Sequence, residues 1–208
     1  TEGLERIYSR FAVHTPHRLR DLQPGLSCEE IDQYVKDFPF RLPHEVYKLY
    51  QWHNGLHGWN FLFENYEFLS LESAIYIYQE ELRQAQADYP EIAEFFQYRF
   101  PIFQLWSESS VFLTVSSDEK QGTLIHGYDI SFEDYSLRYH SLTDLILHSA
   151  QWYESAIFMV QDNRWRIDDE AAYWLDVKYM ARERIVEIVH SRGGGLQQSI
   201  YQRFLNEI

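Results

Sequence analysis

Leu4, Ile7, Tyr8 and Phe11 recur at three- and four-residue spacing, and Pro16 then stops the pattern. This predicts a short amphipathic helix whose apolar face caps a core. After the Pro24-Gly25 break, Ser27 and Glu30 have the spacing of a capping box, in which hydroxyl and carboxylate each satisfy an orphan amide. Ile31, Tyr34 and Val35 are the expected buried face of that second helix. The clearest change of pattern runs from Arg41 to Leu69. Pro43 suits the first turn of a helix, where its missing N–H is no loss, and Val46, Leu49 and Tyr50 fall on one face. Asn54-Gly55 is expected to end this helix, with Gly55 in the left-handed conformation that helix termini favour. Phe61-Leu62-Phe63 and Phe68-Leu69 then have the β preference of half-buried strands.

Ser70 is placed to cap another helix, with Leu71, Ala74, Ile75, Tyr78 and Leu82 as its apolar stripe and Pro90 as its stop. Ile92, Phe95 and Phe96 predict one more short helical stretch. From Pro101 the period changes, and Ile102 to Trp106, Val111 to Val115, Thr123 to His126 and Tyr135 to Tyr139 read as strands. Their short links, with Ser116 to Gly122 as a hairpin loop, imply an antiparallel meander instead of parallel crossovers. Ser141 followed by Asp144 starts the next helix, with Leu145, Ile146, Ala150 and Tyr153 facing inward.

Beyond Asp162, Asp168-Asp169-Glu170 stands at the positive end of a predicted long helix whose apolar face is Trp174, Val177, Ala181, Ile185 and Ile188. Arg182, Arg184, His190 and Arg192 suit its negative end. Gly193-Gly194-Gly195 breaks the chain before a final stripe of Leu196, Ile200, Phe204 and Ile208. The expected architecture is α+β. An antiparallel sheet with N-terminal helices on one face occupies residues 1–158, its core at 25–155, and a C-terminal helical extension over 159–208 packs on the same domain.

Composition narrows the function classes. With 32 Asp plus Glu against 18 Lys plus Arg, the formal charge of −14 opposes contact with phosphate backbones, so direct nucleic-acid binding is not expected. The same field attracts a basic protein partner, although plain solubility is the simpler reading of it. Cys28 is the only cysteine, which excludes an intramolecular disulfide framework and suits a reducing cytoplasm. No stretch approaches the roughly 20 apolar residues that span a bilayer. The first residues alternate charged and apolar side chains, unlike a signal-peptide core.

The residues specify no reaction and no cofactor. His53 and His57 have the spacing of helical zinc ligands, but Asn54-Gly55 intervenes and no Glu follows His53 as the zincin pattern demands. His14 and His17, and the Gly193 to Gly195 triplet, are equally unspecific; the triplet lacks the preceding strand and following Lys of a phosphate loop. Cys28 has Glu29 and Glu30 beside it, which disfavour a thiolate. Ser109 and Ser110 fall in a polar loop without a nucleophile elbow, and Asp168 with Asp169 or Asp129 with Glu133 read as solvated acidic faces. Aromatics near loops, Trp59, Trp106 and Tyr128, are better candidates as binding anchors, against the simpler reading of core filling. Glu108, Asp118, Glu119, Asp129, Glu133 and Asp134 would form an acidic rim around them.

The order Gly25-Leu26-Ser27, Glu30-Ile31, Leu42-Pro43, Tyr47, Tyr50, Asn54-Gly55, Phe68-Leu69 and Leu71 resembles the SUKH superfamily, which contains the yeast cell-wall assembly regulator and many bacterial immunity proteins. The resemblance continues through Pro101-Ile102, Val111 to Val115, Thr123 to His126 and Ser141-Leu142, covering residues 25 to 155. It departs where Ser107-Glu108-Ser109-Ser110 replaces a glycine-rich turn. Gly25, Leu42, Pro43, Tyr47, Tyr50, Asn54, Gly55 and Pro101 carry it, and they look structural: they cap helices and turn the chain.

The resemblance implies a non-enzymatic, cytoplasmic protein-binding domain of the immunity type that neutralises a basic toxin, such as a nuclease, by direct binding. The alternative is an intracellular scaffold or regulator that forms a homodimer through its C-terminal helices. A metal-dependent hydrolase using His53, His57 and Glu64 is the least favoured reading.

Overall fold

The computed structural model describes residues 2–57, 61–63, 66–88, 90, 93–105, 109–114, 124–129, 134–155, 158–161 and 164–167. Helix α1 (Glu2–His14) buries Leu4, Ile7 and Phe11 as its spacing predicts. Tyr8, expected on the same face, is exposed instead and lies nearly parallel to the ring of His53, at 6.2 Å. A phenol at the edge of an apolar stripe can cover a neighbour while its hydroxyl stays in water. A 3-10 turn, Pro16–Asp21, leads into β1 (Leu22–Pro24).

Helix α2 (Cys28–Val35) begins with the predicted capping box: the Glu30 amide donates to Ser27 Oγ at 3.1 Å and the Ser27 amide to Glu30 Oε2 at 2.7 Å. Ile31 and Val35 are buried, but Tyr34 turns outward and remains 41% exposed. Helix α3 (His44–Trp52) starts one residue after Pro43, which is its N-cap rather than part of its first turn. Proline is harmless there too, and its carbonyl accepts from the amides of Val46 and Tyr47. Val46, Leu49 and Tyr50 are the buried face, as expected.

Asn54 and Gly55 do not end this helix; they lie in β2 (His53–Leu56), antiparallel to β1, with His53 as the C-cap. Gly55 does have a positive φ of 84°, for a different reason. Its backbone passes so close to the start of the next helix that a Cβ would lie 2.5 Å from Ser70 N. Gly25 is required in the same way, because a Cβ there would lie 2.0 Å from Gln51 O.

The main sheet is a six-stranded antiparallel meander in the order β3 (Phe61–Phe63), β4 (Tyr66–Phe68), β5 (Arg99–Leu105), β6 (Ser109–Thr114), β7 (Leu124–Asp129), β8 (Asp134–Tyr139). Between β4 and β5 the chain makes α4 (Leu71–Asp88) and the single turn α5 (Ala93–Phe96). Ser70 caps α4 by accepting from the Ser73 amide at 3.1 Å, as its position predicts. Pro101 sits inside β5, where a register shift between Pro101 and Phe103 accommodates the missing donor. Ser109 and Ser110, expected in a loop, pair with Leu105 and Gln104, and β7 extends through Tyr128 and Asp129. Antiparallel pairing continues beyond the apolar run because the ladder uses backbone groups, not side chains.

Helix α6 (Leu142–Glu154) follows β8, with the Asp144 amide donating to Ser141 Oγ at 3.0 Å. Helices α4 and α6 pack on the sheet, against β5 and against β8 and β3 respectively. One core unites Leu4 of α1, Ile31 of α2, Leu49 of α3, Leu71 of α4, Phe103 of β5 and Leu145 of α6. The fold is α+β. A hairpin of β9 (Phe158–Gln161) and β10 (Arg164–Ile167), which hydrophobic spacing did not announce, opens the extension and touches α6 through β9. The two helices expected beyond it, from Asp168 onward, lie outside the described residues.

Candidate functional site

Asn54 is buried where β2 passes the start of α4. Its Oδ1 accepts from the Leu71 amide at 2.8 Å, so it caps α4 from 17 residues away, and its Nδ2 donates to Glu72 at 3.0 Å. The second Glu72 oxygen accepts from the hydroxyl of Tyr34 on α2 at 2.5 Å. Burial pushes the Glu72 carboxyl up, but the bonds from Tyr34 and Asn54 outweigh it and hold Glu72 below the ordinary carboxylate range. The hydrogen bond to Glu72 is in turn the main reason the Tyr34 hydroxyl is raised. This network sets the spacing of α2 and α4 and explains why Tyr34 faces outward.

Beside it, the C-terminal end of α2, the middle of α4 and α5 enclose an open groove of about 600 Å³, lined by Tyr34, Asp37, Phe38, Tyr78, Leu82 and Glu94 among others. Its floor is aromatic. The rings of Phe38 and Tyr78 lie 4.9 Å apart, and Phe38 meets Phe100 edge-on at 5.8 Å. The Tyr78 hydroxyl donates to Gln97 O at 2.9 Å, which fixes the floor to the turn after α5. Between Cys28 and Asp37 the chain carries Glu29, Glu30, Asp32 and Asp37, all exposed, against Lys36. Tyr76, one turn beyond Glu72 on α4, is 66% exposed, so Tyr34 and Tyr76 flank Glu72 on this acidic face.

On the far side of the network, a smaller polar cleft of about 350 Å³ is lined by His57, Glu67 and Glu72, among others. Burial raises the Glu67 carboxyl. His53 and His57 do not share a helix face. His53 lies in β2, its Nδ1 2.7 Å from Gln23 O, and His57 is in the turn after it. Glu64 lies outside the described residues, among which no group of three His, Cys, Asp or Glu side chains is arranged to hold a metal ion. Cys28 is exposed in the first turn of α2 and accepts from Gln51 Nε2 at 3.0 Å.

Of the residues the sequence singled out for binding, Trp59, Trp106, Glu108, Asp118, Glu119 and Glu133 lie outside the described residues. Tyr128, Asp129 and Asp134 are in strands rather than loops, with Asp129 opposite Asp134 and Tyr128 opposite Tyr135 at the end of the β7–β8 pair. Sequence reasoning missed Tyr34, Asp37, Glu72, Tyr78 and Glu94. Their one local signal is the excess of acid around Tyr34, on a helix whose spacing otherwise marks only a buried face.

The sequence profile of the SMI1 / KNR4 family (SUKH-1) matches residues 25–148. The chain belongs to this family. No curated protein matches it. Within the SUKH-1 region, the residues that carried the resemblance gather at the α2–α3–β2 junction and in β5. Leu42 and Tyr50 are buried in the core, and the Tyr50 hydroxyl is pushed up by burial. Tyr47 donates to Asp32, and burial together with that bond pushes its hydroxyl to about 12. Gly25 and Gly55 permit the close backbone passes, and Asn54 joins them to α4. SUKH-1 membership is consistent with a non-enzymatic protein of the immunity or regulatory kind. Among the described residues, no helix is long and apolar enough to cross a membrane.

Proposed function

We propose that the chain is a cytoplasmic, non-enzymatic binding domain of the immunity type, which neutralises a basic toxin by covering its functional surface. The observation that carries this reading is the acidic face of α2 and α4, where exposed Tyr34 and Tyr76 flank Glu72 and Glu29, Glu30, Asp32 and Asp37 are exposed along α2 and the turn after it. Tyrosine offers large contact area at small entropic cost, and the net charge of −14 steers a cationic partner toward the domain. Nucleases, whose phosphate-binding surfaces are cationic, are the toxin class that best complements such a face. Acidic and aromatic residues elsewhere in the sequence, Trp59, Trp106, Glu108, Asp118, Glu119, Tyr128, Asp129, Glu133 and Asp134, would extend the contact.

The test is retention of proteins from the native cell on the purified chain, at low and moderate salt, with mass spectrometry of what stays bound. Recovery of one basic protein, less of it at moderate salt, whose toxicity the chain suppresses on co-expression, is the expected result. Recovery of the chain alone would replace toxin neutralisation with a self-associating scaffold.

A further inference from the structure

We infer that the groove between α2, α4 and α5 receives an arginine side chain of the partner protein, with the guanidinium lying on Phe38 and paired with Asp37 and Glu94. The inference rests on the protein-binding reading and adds the chemistry of the contact. Three features of the groove select this occupant. First, its floor offers aromatic surface, held in place by the Phe38–Tyr78–Phe100 packing and the Tyr78–Gln97 hydrogen bond. Second, Asp37 from the turn after α2 and Glu94 from α5 are both exposed and both line the groove, and no described lining residue is cationic. Third, at about 600 Å³ it holds a long side chain and part of its neighbours.

An apolar plug alone would strip water from two carboxylates without compensating them. An anion would meet their repulsion. A cation that is planar, weakly hydrated and able to donate in parallel to a carboxylate satisfies both the floor and the walls, and that describes guanidinium better than ammonium. The nearest arginine on α4 does not serve, because Arg83 is engaged by Glu80 at 2.9 Å on the helix surface.

The test uses the full chain, isotope-labelled for amide NMR, titrated with a blocked tripeptide carrying arginine between two leucines. Parallel titrations replace the arginine by lysine or by the neutral isostere citrulline. The expected result is saturable shifts centred on Asp37, Phe38, Gln79 and Glu94, several-fold weaker with lysine and absent with citrulline. The Asp37→Asn/Glu94→Gln double variant, altered only at exposed positions, should weaken arginine binding by at least about tenfold. Equal shifts with lysine and arginine spread over the acidic surface, no saturable binding, or undiminished binding to the double variant would each overturn the inference. The broader reading fails separately. If the wild-type chain retains a basic partner and the double variant retains it equally, the groove assignment falls and protein binding stands. If the wild-type chain retains none, protein binding falls, and the tripeptide series still decides the groove.

Discussion

The two ends of the helical layer handle charge in opposite ways. At the α1–α6 end the chain satisfies itself: Arg6 grips both oxygens of Glu154, at 2.7 and 2.5 Å, and Arg10 donates to the Glu154 carbonyl at 3.0 Å. Beneath these bonds Phe11 packs edge-on against Tyr153 at 5.0 Å. At the α2–α4 end, the carboxylates of α2 are exposed, Glu72 is held by a tyrosine and an amide, and an aromatic-floored groove stays open. Closed surface contributes stability; open surface with unmatched charge is where affinity for a partner can reside. Helix α1 lies before the region that the family profile matches, yet Leu4, Ile7 and Phe11 belong to the common core, so the closed end includes residues outside that region.

The largest effect should come from breaking the closed end. Phe11→Ala removes a side chain that is 3% exposed and leaves a cavity under α6, and should cost about 3–4 kcal/mol in urea unfolding. At the open end the comparable lesion is Asn54→Ala, which strands the Leu71 amide and removes a donor from Glu72. A loss of about 2 kcal/mol is expected, with the Glu72 titration moving upward by NMR. An unchanged Glu72 would break the link drawn between capping and charge.

Arg6→Ala should cost less, about 1 kcal/mol, because the pair is partly solvated, and the cost should shrink in high salt. Its pH dependence has a definite sign. The Arg6 bond holds Glu154 below its ordinary 4.5, so the pair's contribution is complete above that pH and is lost as pH falls through the depressed folded value. Wild type and variant should therefore converge in acid. A last effect, one of pH dependence, is expected at Glu81 on α4, which burial pushes up to about 7 while nearby Arg99 partly opposes the shift. Folding there retains a proton, so stability falls as pH rises from 4.5 toward 7. Glu81→Gln should remove that slope and raise the unfolding temperature above neutrality; a parallel pair of pH profiles would refute it.

Much of the fold was legible because its signals are local. Ser27 with Glu30, Ser70 with Ser73 and Ser141 with Asp144 close their caps within one helical turn, and strand runs such as Val111 to Val115 mark the meander. Where two elements meet, the reading failed in instructive ways. Gly55 has the expected left-handed backbone, but in a strand squeezed against Ser70 rather than at a helix end. Tyr34 has the spacing of a core residue, yet a carboxylate 38 positions away draws it outward. The groove was not visible at all, since Asp37, in the turn after α2, and Glu94 of α5 are separated along the chain by three strands and two helices.

The sequence by itself determined the α+β class, the order of helices α1 to α6 and of the strands of the main sheet, its antiparallel meander and the family, because helix periods, caps and turn residues act over a few neighbouring positions. Only the tertiary structure decided which polar groups would meet. Asn54 reaches Leu71, Glu45 accepts from the Thr143 amide at the start of α6, and Arg6 finds Glu154 across 148 residues. Such contacts depend on where the packed core brings distant backbones. No local spacing records the entropy lost in bringing them together, which is why the exposed face and its groove had to be seen folded.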